Sequence, residues 1–156
     1  MALTKVRAGG VADDAITTGK LPTGSILQVV QTTGSTEVAA SGTSWTTTDA
    51  AVTITPTSAS SKILVMHSAG GLAGTVGNVG IRIRRGSTVV YESIRFGYQD
   101  DSNFAPVNWA VSYLDSPSTT SATTYDSQIK AGVSVSGGLR HSDAATWTMI
   151  AMEIAG

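Results

Sequence analysis

The sequence predicts an all-β protein, a β-sandwich preceded by an extended arm. Three observations predict this. Apolar and polar residues alternate over many short runs, the side-chain period of a strand. Turn residues punctuate those runs at near-regular spacing. Ser and Thr make up about a quarter of the 156 residues, while charged residues are only 13%, against roughly 25% in an average domain. Thr and the β-branched apolar residues fit a pleated surface. No helical period is sustained anywhere.

Residues 1–24 read as the arm. Leu3, Val6, Val11, Ile16 and Leu21 are single apolar residues spaced among small and polar ones. Such residues suit scattered contacts in a partner's groove. Asp13–Ile16 has the makings of one helical turn, with the Asp13 and Asp14 carboxylates accepting from its free N–H groups.

Residues 25–156 read as one sandwich domain. Ser25–Thr32 is β-branched and apolar. Ser44–Thr48 and Ala51–Thr55 follow, closed by Pro56, which cannot donate to a ladder. Lys62–His67 is apolar on both phases, the mark of a central strand covered on both faces. Gly70, Gly71, Gly74, Gly77 and Gly80 predict a turning loop. Ile81–Arg85 sends Ile81 and Ile83 to one face and Arg82 and Arg84 to the other. Gly86-Ser87 is a two-residue hairpin turn, and Thr88–Ser93 returns as its partner. Trp109–Leu114, Tyr125–Val135 and Thr146–Ile154 complete the set. Eight or so strands of this kind make a sandwich, a barrel or a jelly roll.

The last strand is apolar on both faces. Trp147, Met149 and Ala151 point one way; Thr148, Ile150, Met152 and Ile154 point the other. One face fills the core. The second would expose a sizeable apolar patch, so it is expected to meet a symmetry mate near a three-fold axis. Trp147, Met149, Ile150 and Met152 are therefore the expected core and trimer-contact residues.

Composition narrows the chemistry. The net charge is −1 with no basic block, so no nucleic-acid partner is expected. No apolar run approaches the roughly 18–20 residues of a membrane span, and no membrane partner is expected. Residues 1–10 lack the apolar stretch of a signal peptide. Cysteine is absent, which excludes disulfides and thiolate metal sites. His67 lies in an apolar run and is expected in the core, hydrogen-bonded to backbone. His141 lies in a polar stretch and is expected exposed. No metal, cofactor or catalytic group is expected from them. Asp100, Asp101 and Asn103 read as a solvated loop rather than a Ca²⁺ site. No nucleophile elbow and no phosphate loop are present. Arg82 and Arg84 read as a charged outer face that resists edge aggregation. Phe96, Tyr98 and Phe104 form the best candidate recognition loop, since aromatic side chains in loops anchor partners. Glu153 is a candidate for an ion pair across a subunit contact.

Two stretches carry a resemblance. Leu3–Leu21, with its Ala-Asp-Asp-Ala-Ile-Thr-Thr-Gly-Lys-Leu core, resembles a segment of exterior virion proteins of tailed phages, notably those of cyanobacteria and marine bacteria. Tyr113–Tyr125 and Met149–Gly156 are similar to the last strands of the same phage heads. The resemblance implies a trimeric jelly roll of the tumour-necrosis-factor and C1q type, with no catalytic residues. An arm followed by one head, without a shaft, is the plan of a capsid cement or decoration protein. The resemblance thus implies a homotrimer bound to the major capsid protein or another virion protein, on the outside of a particle assembled in the host cytoplasm. A short tail fibre or tail-tip module that adsorbs to host glycans is the alternative.

Overall fold

A computed structural model of the chain describes residues 20–73, 77–99, 105–132, 139–141 and 145–156. Of these, residues 72, 73, 77, 96–99, 105, 139 and 140 are described by their backbone alone. The described residues form strands and turns without an α-helix. The strands are β1 (Ile26–Gly34), β2 (Val38–Ala40), β3 (Thr46–Ile54), β4 (Lys62–Ala73), β5 (Gly77–Arg85), β6 (Thr88–Gln99), β7 (Ala105–Asp115), β8 (Thr123–Ala131), β9 (Leu139–His141) and β10 (Trp147–Ile154).

They make two antiparallel sheets packed as a sandwich. Sheet B has the order β3-β8-β5-β6. In sheet A, one edge of β4 pairs with β7 along residues 63–73. A strand has only two edges, so β10 and β9 must share the other. β10 takes Lys62–Ser68 and β9 takes Gly71–Ala73. β1 then pairs β10 and β2 pairs β9. Thus β1 with β2, and β9 with β10, are two interrupted strands. Sheet A has four rows: β1/β2, β10/β9, β4 and β7.

Period-two alternation puts one set of side chains between the sheets. On β10 the inward residues are Trp147, Met149, Ala151 and Glu153, all buried. They meet Ile63, Val65, His67 and Ala69 of β4, Val52 and Ile54 of β3, Ile81 and Ile83 of β5, and Tyr125 and Ile129 of β8. At the end of the sandwich where β10 finishes, Asp115 of β7 crosses to the other sheet. It accepts from Tyr125 Oη at 2.8 Å and from Arg85 Nη1 at 2.6 Å.

Several expectations need correction. The glycine-rich stretch is not one long loop: β4 runs on to Ala73 and β5 starts at Gly77, so Gly70, Gly71, Gly77 and Gly80 lie in strands. A glycine without a side chain sits in a sheet when something must pass over it. A Cβ on Gly80 would lie 3.1 Å from the Trp45 ring and the Lys130 stem. The runs Ser44–Thr48 and Ala51–Thr55 are one strand, β3, with a register shift between Thr47 and Ala51. The hairpin turn at Gly86-Ser87 is present, and Gly86 adopts φ 57°, as the first central position of such a turn requires. The short strands β2 and β9 had no periodic signal, being three residues each.

Candidate assembly interface

The four rows of sheet A carry their outward residues in register. One line across the sheet is Val29, Met152, Leu64, Leu114. The next is Gln31, Ile150, Met66, Ser112, and at the strand ends Ile26 meets Ile154. Val29 is 55% exposed, Ile26 58%, Leu114 46% and Met66 38%. Met152, Ile150, Ile154 and Leu64 are half-buried by their neighbours. Eight apolar side chains thus form one continuous outer face. Monomers rarely expose patches beyond a few hundred Å², roughly. Farther along, the face dips where small residues replace large ones. Ser68, Ala110, Ser112 and Thr148 floor a depression of about 170 Å³ between Met66 and Ile150.

The four residues singled out on the last strand divide between its faces. Trp147 and Met149 are buried between the sheets, while Ile150 and Met152 lie on the outer face. The sequence reading of β4 as covered on both faces holds within the chain only for the inner one, since Met66 stands open. Leu21 is 36% exposed. It lines a groove with Thr23, Leu27, Thr57 and Ala155, where Gly24 N donates to Ala155 O. Leu3, Val6, Val11 and Ile16 lie outside the described residues, as do Phe104, Asp100, Asp101 and Asn103. The backbone of Phe96 and Tyr98 lies in strand β6 rather than in a loop, and their side chains are outside the described residues.

Glu153 is not at a subunit contact. It is fully buried, accepting from Gln28 Nε2 at 2.5 Å and from Thr57 N and Oγ1 at 2.7 and 2.8 Å. Burial alone would raise its pKa, but the hydrogen bonds outweigh it and hold the carboxylate below its usual range.

The outer face of sheet B has the opposite chemistry. Thr47, Gln128, Arg82 and Glu92 form one line across its four strands. Arg82 Nε donates to Gln128 Oε1 at 2.6 Å, and Gln128 Nε2 to Thr47 Oγ1 at 2.7 Å. Arg84 grips Asp126 with two bonds of 2.8 and 2.7 Å. The Arg82 guanidinium and the Lys130 ammonium lie 4.5 and 4.6 Å from the Trp45 ring centre, a cation–π cluster. These polar groups are matched within the face, while the edge strand β6 exposes Val89 and Ile94.

The histidines hold the largest surprise. His141 is not exposed; it is fully buried on β9 and stacks on His67, ring centres 5.5 Å apart. Nothing in their 74-residue separation could reveal this, because it follows from β9 pairing with β4. His67 does bond to backbone, through Nδ1 to Thr148 O at 3.2 Å. Both pKa values are lowered to about 4, chiefly by burial; the nearby His67 imidazole adds to this in His141, the Thr148 bond opposes it in His67, and Asp49 opposes it in both. Among the described residues, no group of three His, Asp or Glu side chains is placed to hold a metal ion. No helix among them is long and apolar enough to cross a membrane.

No protein-family model matches the sequence, and no curated protein matches it.

Proposed function

We propose that this chain is a non-enzymatic structural protein of a tailed-phage particle, a homotrimeric cement or decoration protein on the outside of the head. The observation that carries the reading is the apolar outer face of sheet A, set against the self-matched polar face of sheet B. The occupant of that face is a second copy of the chain. In a three-fold ring each copy touches two neighbours, and in this reading the face turns toward the axis. The alternation of successive strands between the two sheets, β3 in B, β4 in A, β5 and β6 in B, β7 in A, β8 in B, favours the jelly-roll form. The resemblance of Leu3–Leu21, Tyr113–Tyr125 and Met149–Gly156 to phage exterior proteins is what supports the proposed location.

In this reading the protein works by adding contact area. Each trimer rests on several shell subunits, with Leu3, Val6, Val11 and Ile16 proposed as dispersed apolar contacts to them; Leu21 packs on its own sandwich. The first test is mass in solution: three times the 15.9 kDa chain is expected, and a monomer at micromolar concentration would sink the trimer. The second is location. Chains lacking the first 20 residues are expected to trimerise but not to bind empty heads. Quantitative labelling of particles should find copies spread over the head, on the order of hundreds as icosahedral closure dictates; a few copies at the tail would move the protein to host adsorption.

A further inference from the structure

Four buried polar atoms without a hydrogen-bond partner gather at one end of the core: His141 Nδ1 and Nε2, Asp49 Oδ1 and Trp147 Nε1. Buried polar groups are normally paired, so a cluster of orphans marks a place held together by something other than hydrogen bonds. Here it is ring packing. His141 lies between His67 at 5.5 Å, Trp109 at 5.6 Å and Trp147 at 6.3 Å. The ring is a side-chain anchor of β9, a strand with three register pairs to β4 and three to β2.

The protonation states follow from geometry. His67 Nδ1 faces the Thr148 carbonyl oxygen at 3.2 Å and must carry a proton. Its Nε2 faces the Trp109 Nε1–H donor at 3.4 Å and must present a lone pair. His67 is therefore neutral, and a second proton would set donor against donor. His141 differs. Its Nδ1 lies 3.6 Å from Asp49 Oδ1, so a proton arriving in the cluster goes there first. The charge would then sit in a fully buried ring, stacked on a second imidazole, with one partly exposed carboxylate to offset it. Among the described residues, Asp49 from β3 and the two rings themselves are the titratable groups that face the pair. The described residues of β2, β7 and β10 that face it do not titrate, Lys130 of β8 is on the outer face, and Tyr125 of β8 is turned to Asp115.

We infer that the His67–His141 stack is an acid-operated latch: neutral, it holds β9 and β2 on β4, and protonation of His141 releases that end of the sandwich while β10 stays paired with β1 and β4. The lower ladder has seven register pairs between β10 and β4 and the buried Glu153 network, so it outlasts the upper one. The inference does not depend on the virion reading, because it concerns the chain alone.

Amide hydrogen exchange on the purified protein tests it, at neutral pH and at about pH 4.5, corrected for intrinsic exchange. Amides of β9 and of Gly71–Ala73 are expected to lose protection at least ~10-fold in acid, those of β10 and β1 much less. Unchanged protection, or a uniform loss over all strands, overturns the latch. H141Q, which cannot take the proton, is expected to stay closed at both pH values. Should H141Q fail to fold, D49N decides: losing the carboxylate that favours the protonated ring moves the opening midpoint to lower pH. An unchanged or raised midpoint in D49N overturns the inference.

Discussion

The two outer faces of this sandwich share one backbone geometry and opposite surfaces. Across sheet B the line Thr47, Gln128, Arg82, Glu92 is joined side chain to side chain. Across sheet A the equivalent line is Val29, Met152, Leu64, Leu114, which no polar group interrupts. A sheet facing water alternates apolar and polar residues. β5 and β8 of sheet B do so, with Val89 and Ile94 exposed on the edge strand β6, and β4 and β10 of sheet A do not. The lesson is that a central strand apolar on both phases calls for a second cover, and that the described residues supply none over the outer face of sheet A.

Acid is the strongest way to break the contrast, because both buried histidines belong to strands of sheet A. Their folded pKa of about 4 lies below the ordinary 6.5. The unfolded chain therefore binds more protons between those values. The stability due to neutral imidazoles is fully present above pH 6.5, falls as pH drops toward 4, and is flat below. The total is on the order of 5 kcal/mol for the coupled pair. Urea unfolding between about pH 7 and pH 4 measures it, and the double variant H67Q/H141Q should lose most of the slope.

Charge on the apolar face comes next. Met152→Glu puts a carboxylate in the middle of the line on sheet A. Self-association should weaken by about 100-fold, as for a central interface residue, read by analytical ultracentrifugation. Thr124→Glu, on the outer face of sheet B, should leave the mass unchanged. Equal effects from the two would erase the distinction between the faces.

Gly34→Ala tests the inner side of sheet A. The added Cβ would lie 2.5 Å from Trp147 Cζ2, so the ring must shift at a cost of about 1–3 kcal/mol. Arg84→Ala is the smallest change. The Arg84–Asp126 pair has side chains 22% and 21% exposed, so its loss should cost about 1 kcal/mol or less, with no effect on association.

How much was legible in the sequence depends on how far each signal reaches. The sandwich was readable because alternation is local: Ile81 and Ile83 against Arg82 and Arg84 need no knowledge of the rest. So was the division of Trp147 and Met149 from Ile150 and Met152. His141 was misplaced because β9 has three residues and borrows its order from β4. Glu153 was misread because a charged residue near a chain end looks exposed, whereas its partners Gln28 and Thr57 are distant in sequence. The Trp45 cluster was missed, although a Trp beside a Thr-rich strand with arginines on the facing phase was a signal within reach.

The placement of β10 sets the order in which the molecule can be built. β10 lies between β1 and β4, so β1 waits for residues 147–154 for its ladder partner, and β4, already paired with β7, waits for them to cover its second edge. Until then β1 has no ladder partner, β4 has an open edge, and the Gln28 and Thr55–Thr57 region lacks its carboxylate. Closure over such separations is slow. Throughout synthesis the nascent chain therefore carries open strand edges rich in Val, Ile and Leu, the templates on which misassembly between chains begins.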